Sequence, residues 1–119
     1  MGLRVVLVDD DPRFRALARR MLVSEGIDVV AEVGAGADAL DVVTQLRPDV
    51  ALIDIQMPGI DGLEVARQLR QLGGDLVVLL ISTRDQAHGD RLAAGLAAGY
   101  VPKDQLSLAA ILQHASPSA

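Results

Sequence analysis

Val50, Ala51, Leu52 and Ile53 form an unbroken apolar run that ends on a single carboxylate, Asp54, with Pro58-Gly59 close behind. A strand with one wet face alternates apolar and polar residues. A run that is apolar at every position belongs to a strand covered on both faces, as in the interior of a parallel sheet. Parallel strands need a crossover between them, usually a helix. This one stretch therefore narrows the fold to an α/β sandwich. It also marks a place for chemistry, because ligands of open parallel sheets sit beyond the carboxyl ends of the strands.

The remaining chain repeats the pattern. Leu3 to Asp9 reads as the first strand, its Val5 to Val8 stretch running into Asp9-Asp10-Asp11. Pro12 suits the first turn of a helix, and Phe14, Leu17, Ala18, Met21 and Leu22 recur at helical spacing until Gly26. Arg13, Arg15, Arg19 and Arg20 fall between them and read as its solvated face. Ile27 to Val33 is the second strand. Gly34-Ala35-Gly36-Ala37-Asp38-Ala39 has the form of a dinucleotide fingerprint. It follows the second strand rather than the first, in a chain short for a dinucleotide domain, and reads as a turn and helix start.

Asp38 to Arg47 is the second helix, with Ala39, Leu40, Val43 and Leu46 as its apolar stripe and Pro48 as its stop. Leu63, Ala66, Leu69 and Leu72 mark a third, ending at Gly73-Gly74. Leu76 to Ile81 is the fourth strand, ending in Ser82-Thr83. A helix over about Gln86 to Ala98 contains Gly89 and Gly95. Each interior glycine costs roughly 1 kcal/mol against alanine, so this helix is expected to be the weakest. Gly99 to Val101 is a fifth strand, followed by Pro102-Lys103-Asp104. Leu106 to about Ala115 is the last helix, and residues 116–119 read as a disordered tail or the start of a linker. Five alternations with short connections predict a parallel five-stranded sheet between two helical layers, in the order 2-1-3-4-5, as one domain over residues 1–115.

Composition excludes several classes of function. The 119 residues suit one core, and half are hydrophobic, but with one Tyr and one Phe that core must be aliphatic. The net charge of -5 argues against nucleic-acid contact by these residues, since such contact needs clustered Lys and Arg. With no cysteine, neither a disulfide scaffold nor a thiolate metal site is open. No signal peptide is seen and no apolar run approaches the ~20 residues of a membrane span, so a cytoplasmic protein without membrane contact is expected.

Four strand ends send polar groups to one rim: Asp9 and Asp10, Asp54, Ser82, and Lys103. Two like charges 4 Å apart repel by about 4 kcal/mol at an effective dielectric near 20. Either a carboxyl group is protonated or a cation neutralises the cluster. Oxygen-only ligands select a hard ion, Mg²⁺ or Mn²⁺, with water positions left open for a phosphate. With that ion and the Lys103 ammonium in place, charge alone could hold a phosphoryl group at Asp54, with Ser82 donating a hydroxyl. A carboxylate nucleophile forming an acyl phosphate is an available chemistry. Asp11 reads as the cap of the first helix, Asp61 as a cap or turn residue, and His88 and His114 as surface residues.

These residues carry a family likeness. Val8-Asp9-Asp10-Asp11, the stretch from Asp54 through Gln56, Met57, Pro58 and Gly59 to Asp61-Gly62, and Ser82, Tyr100 and Lys103 resemble the receiver domain of two-component response regulators. The likeness covers essentially the whole chain. It implies a CheY-like, flavodoxin-like (βα)5 fold. It implies that Asp54 is the phosphoacceptor, that Asp9, Asp10, Asp54 and the backbone carbonyl of Gln56 hold Mg²⁺, and that Lys103 contacts the phosphate. Ser82 and Tyr100 become the switch pair, with Tyr100 filling space as Ser82 moves. The implied donor is a sensor histidine kinase.

Gly99-Tyr100 and Lys103-Asp104 look like the NarL/LuxR-type subfamily, whose receivers usually precede a helix-turn-helix output domain controlling transcription. Homodimerisation through the first and last helices is a family expectation. Three features depart from the pattern. Asp104 stands where many receivers have Pro, Thr83 where many have Ala or Gly, and the Ser82 to Lys103 interval is one residue short. Two rival readings remain at this point. One is a phosphorylation-independent binding module, which Thr83 favours. The other is a haloacid-dehalogenase-type phosphatase built on Asp9-x-Asp11, which Arg13 disfavours because that motif wants Thr or Val there.

Overall fold

The apolar runs form five strands, β1 (Arg4–Val8), β2 (Asp28–Val33), β3 (Val50–Asp54), β4 (Val77–Ser82) and β5 (Gly99–Pro102). All neighbours pair in parallel, in the order β2-β1-β3-β4-β5. The computed structural model describes residues 2–57, 62–83, 89, 91, 93–95 and 98–114. The helices are α1 (Pro12–Ser24), α2 (Gly36–Leu46), α3 (Gly62–Gln71) and α4 (Leu108–Leu112), with a 3-10 turn at Lys103–Gln105. Gly89, Arg91, Ala93 and Ala94 are helical as expected. Gly95 is a turn residue and Ala98 is not helical, while the turn at 58–61, residues 86–88, 90, 92 and 96–97 of the expected helix (His88 among them), and residues 115–119 lie outside the described residues.

Alternation along β1 explains why its run from Val5 to Val8 had to be apolar. Val5 and Leu7 face one side of the sheet, with Ala18 and Leu22 of α1 and Ile111 of α4. Val6 and Val8 face the other, with Val43 of α2 and Ala66 and Leu69 of α3. Each such Val or Leu side chain contributes about 1.5–3 kcal/mol on burial.

Local signals account for the element ends. The Asp11 side chain accepts the Arg13 N–H at 3.0 Å, so it caps α1 and stands apart from the acid cluster. The carboxylates that lie together are those of Asp9, Asp10 and Asp54, which does not favour a pair built on Asp9-x-Asp11. Gly73 and Gly74 both have φ of 72°, a left-handed reversal that ends α3 where the sequence reading put it, with Gln71 the last helical residue and Leu72 just outside. Leu72 consequently falls off the buried stripe and is 47% exposed. Leu17, expected in the core, is 65% exposed because α1 buries only the narrow stripe of Ala18 and Leu22. The last helix starts after Leu106. Ser107 caps it by accepting the Ala110 N–H at 3.0 Å, while Leu106 stays extended and buried in the core.

Candidate functional site

Sheet register places the polar groups. Val8 lies opposite Ile53, so Asp9 and Asp54, one residue on, leave adjacent strands at the same level. Asp54 lies opposite Ile81, and Ser82 opposite Pro102, which puts Lys103 just past the end of β5. Four strand ends thus meet at one rim, as the sequence predicts. A Cβ on Gly62 would overlap the Asp54 carbonyl oxygen, so only glycine lets α3 begin hard against the end of β3.

Asp9, Asp10 and Asp54 each bring a carboxylate oxygen into a group whose members lie within 4.8 Å of one another. At that separation each ionised pair repels by about 3 kcal/mol at an effective dielectric near 20. Asp9 and Ser82 are fully buried, Asp54 is 2% exposed, and Asp10 faces solvent. The Lys103 ammonium stands 2.7 Å from Asp9 Oδ2 and 3.4 Å from Asp54 Oδ2. Three carboxylates against one ammonium leave a surplus of two negative charges, matching one divalent cation.

The donors around these acids are unequal. Asp9 Oδ1 accepts the Asp11 N–H at 2.8 Å, and Asp54 Oδ1 accepts the Gln56 N–H at 2.9 Å. Asp9 Oδ2 is buried, and among the described residues it is served by the Lys103 ammonium at 2.7 Å. A buried carboxylate oxygen in an oxygen-only cluster fits a hard cation. Burial pushes the Asp54 carboxyl above its ordinary value. The Asp9 charge adds to this, while the Gln56 N–H and Lys103 oppose it. Burial works to lower the Lys103 ammonium, but Asp9 and Asp54 outweigh it and hold it above its ordinary value.

Ser82 joins the rim through Gln56. The Ser82 hydroxyl donates to Gln56 Oε1 at 2.9 Å, and the Thr83 hydroxyl donates to the same oxygen at 3.1 Å. Tyr100 lies behind them, buried, with its hydroxyl donating to the Ser82 carbonyl at 3.4 Å. Its ring packs on Gly89, where any Cβ would overlap it.

Several participants escaped the sequence reading. Arg15, read as solvated, donates to the Asp9 carbonyl at 2.6 Å and pairs with Glu32 at 3.6 Å. Helical period does separate it from Arg13: Arg15 stands three residues before Ala18 and seven before Leu22, on the buried side of α1, whereas Arg13 lies on the opposite face and is exposed. Phe14, read as core, is half-buried with its ring 4.4 Å from the Lys103 Nζ. The side-chain role of Gln56 left no signal, because the motif there concerns its backbone. Thr83 was singled out, and its hydroxyl is used. His114 is exposed as expected.

Comparison with known proteins agrees with this geometry. The family model of the response regulator receiver domain matches residues 5–115. The response regulator MprA of Mycobacterium tuberculosis is 42% identical over 106 residues, which cover 87% of this chain and 45% of that protein. The chain thus spans about half the length of the curated relatives it matches. The signal receiver domain of NarL from Mycobacterium tuberculosis superposes with a TM-score of 0.86 at 38% identity, covering 98% of both chains. The BeF3-activated N-terminal receiver domain of RstA from Klebsiella pneumoniae gives 0.83 at 30% identity, over 96% of this chain and 99% of that one. Among the described residues no helix is long and apolar enough to cross a membrane. A sheet in the order 2-1-3-4-5, an acid cluster at its carboxyl rim and these likenesses place the chain in the response regulator receiver domain family.

Proposed function

We propose that Asp54 accepts a phosphoryl group from the phosphohistidine of a sensor kinase. The observation that carries this reading is the joint placement of a buried Asp54, two further carboxylates and Lys103 at one rim. An Asp54 carboxylate oxygen attacks phosphorus in line. The P–N bond breaks, its electron pair returns to the imidazole, and an acyl phosphate forms on Asp54. Asp9, Asp10, Asp54 and the Gln56 carbonyl would hold a Mg²⁺ or Mn²⁺ ion, which when bound would supply charge neutralisation for the transferring group. Lys103, already between Asp9 and Asp54, meets the added phosphoryl oxygens with its ammonium. The Gln56 N–H keeps Asp54 Oδ1 oriented.

Phosphorylation adds negative charge and acceptor oxygens beside Ser82. To reach them the Ser82 hydroxyl leaves Gln56 Oε1. Tyr100 already occupies the interior, so the movement that starts the switch is that of Ser82 rather than an inward swing of the ring. The change passes through Gly89 and the helical segment around it to the surface that segment shares with β5 and α4. In the cytoplasm that surface would govern an output domain for transcription following the receiver, or a homodimer. The receiver domain is taken to run over residues 1–115. A phosphate-affinity gel with acetyl phosphate and Mg²⁺ tests the reading. A retarded band is expected for the wild type and none for Asp54→Asn or in excess chelator. A band that survives Asp54→Asn refutes it.

A further inference from the structure

Lys103 is a flexible side chain leaving a single 3-10 turn, yet its ammonium sits within reach of two buried carboxylates. An ammonium has three N–H groups and no acceptor. Two sides of it are taken by Asp9 Oδ2 at 2.7 Å and Asp54 Oδ2 at 3.4 Å. The third is covered by Phe14, whose ring centroid lies 4.4 Å from Nζ. Phe14 is the one phenylalanine in the chain, and it stands half-buried on the first turn of α1, packed on the margin of the core with its ring face toward Lys103. The face of an aromatic ring attracts a cation through its quadrupole. An aliphatic residue there would fill the space without holding the charge.

We propose that Phe14 is a positioning residue for Lys103, its ring keeping the ammonium between Asp9 and Asp54 and closing its open side to water. A ring suits this task better than a further carboxylate or carbonyl. It attracts the ammonium without adding a third acceptor to compete with the phosphoryl oxygens. When charge builds up at Asp54 the ammonium turns toward it while the ring contact persists. The inference rests on Asp54 as phosphoacceptor for its consequence in rate, but not for the contact itself.

Two measurements on the full chain test it. The first is the proton shift of the Lys103 ε-methylene by NMR. The ring moves these protons upfield of the ordinary range for a solvated lysine in the wild type and in Phe14→Tyr, and Phe14→Leu returns them. The second is the rate of phosphorylation by acetyl phosphate at saturating Mg²⁺. Phe14→Leu slows it about 3- to 10-fold, the range of a partly exposed cation–π contact, and Phe14→Tyr restores it. Lys103 ε-protons at an ordinary position in the wild type overturn the proposal without any variant. So does a Phe14→Leu protein that keeps the shift or the wild-type rate. If the wild type shows the ring shift but accepts no phosphoryl group, the Phe14–Lys103 contact stands and the phosphoacceptor reading falls.

Discussion

The Ser82 hydroxyl donates to the side-chain carbonyl of Gln56, 2.9 Å away, and so is engaged two residues downstream of Asp54 rather than on Asp54 itself. Moving that hydroxyl onto a phosphoryl oxygen requires breaking a bond with a net worth of about 0.5–1.5 kcal/mol. Gln56→Ala removes the acceptor and leaves the backbone carbonyl in place. Its apparent affinity for beryllofluoride in Mg²⁺ is expected to rise about 2- to 10-fold, as followed by NMR titration. An unchanged or weaker affinity would mean that Gln56 does not restrain Ser82.

The contact between Tyr100 and Gly89 makes a second prediction. Alanine at position 89 gains helix propensity of about 1 kcal/mol, but its Cβ overlaps the buried ring. Overpacking of this kind costs about 1–3 kcal/mol. Gly89→Ala is therefore expected to lower the unfolding free energy in urea, and to lower it less in a Tyr100→Leu background, where the ring is gone. Equal effects in both backgrounds would show that the ring does not rest on Gly89.

Protonation of Asp54 links stability to pH in the metal-free protein. Its carboxyl is raised in the folded chain, mainly by burial. Between the ordinary and the raised value the folded state binds more protons than the unfolded state. Stability therefore falls as pH rises through that window, and the full penalty is present above it. Lys103 is also raised, so its contribution holds up to its ordinary value of 10.5 and is lost only above that, outside the window. Asp54→Asn is expected to exceed the wild type in stability at about pH 8. The gap should close as pH falls toward about 4, the ordinary carboxylate value. Urea denaturation in chelator checks this, and a gap that widens on acidification contradicts it.

The same proton competes with the cation. Mg²⁺ affinity is expected to fall as pH drops through the raised Asp54 value, since a protonated carboxyl is a poor ligand. Calorimetric titration at several pH values measures it. An affinity that is constant or rises on acidification would remove Asp54 from the ligand set.

Most of the fold was legible because the strands β1, β3 and β4 are apolar at nearly every position, a pattern that only a sheet covered on both faces explains. The rim was legible for the same reason. Asp9, Asp54, Ser82 and Lys103 each follow directly on an apolar run, and parallel register carries them to one level. What was hidden depended on tertiary contact. Arg15 shares the face of Ala18 and Leu22 by helical period, but that it reaches the Asp9 carbonyl follows only from how α1 sits on the sheet. Phe14 matches a core position by spacing, yet α1 sits so that its ring meets Lys103. Leu17 and Leu72 fit apolar stripes that proved narrower or shorter than their spacing implied. Ser107 was a cap signal in plain view, and it sets the start of the last helix more firmly than the apolar Leu106 before it.

The chemistry at Asp54 can be read most directly by trapping the acyl phosphate. Borohydride reduces an aspartyl phosphate to homoserine, and peptide mass spectrometry locates the converted residue. After incubation with acetyl phosphate and Mg²⁺, homoserine is expected at position 54 and nowhere else, and absent when chelator replaces the metal. Homoserine at Asp9, Asp10 or Asp11, or none in a protein that carries phosphate, would contradict the account.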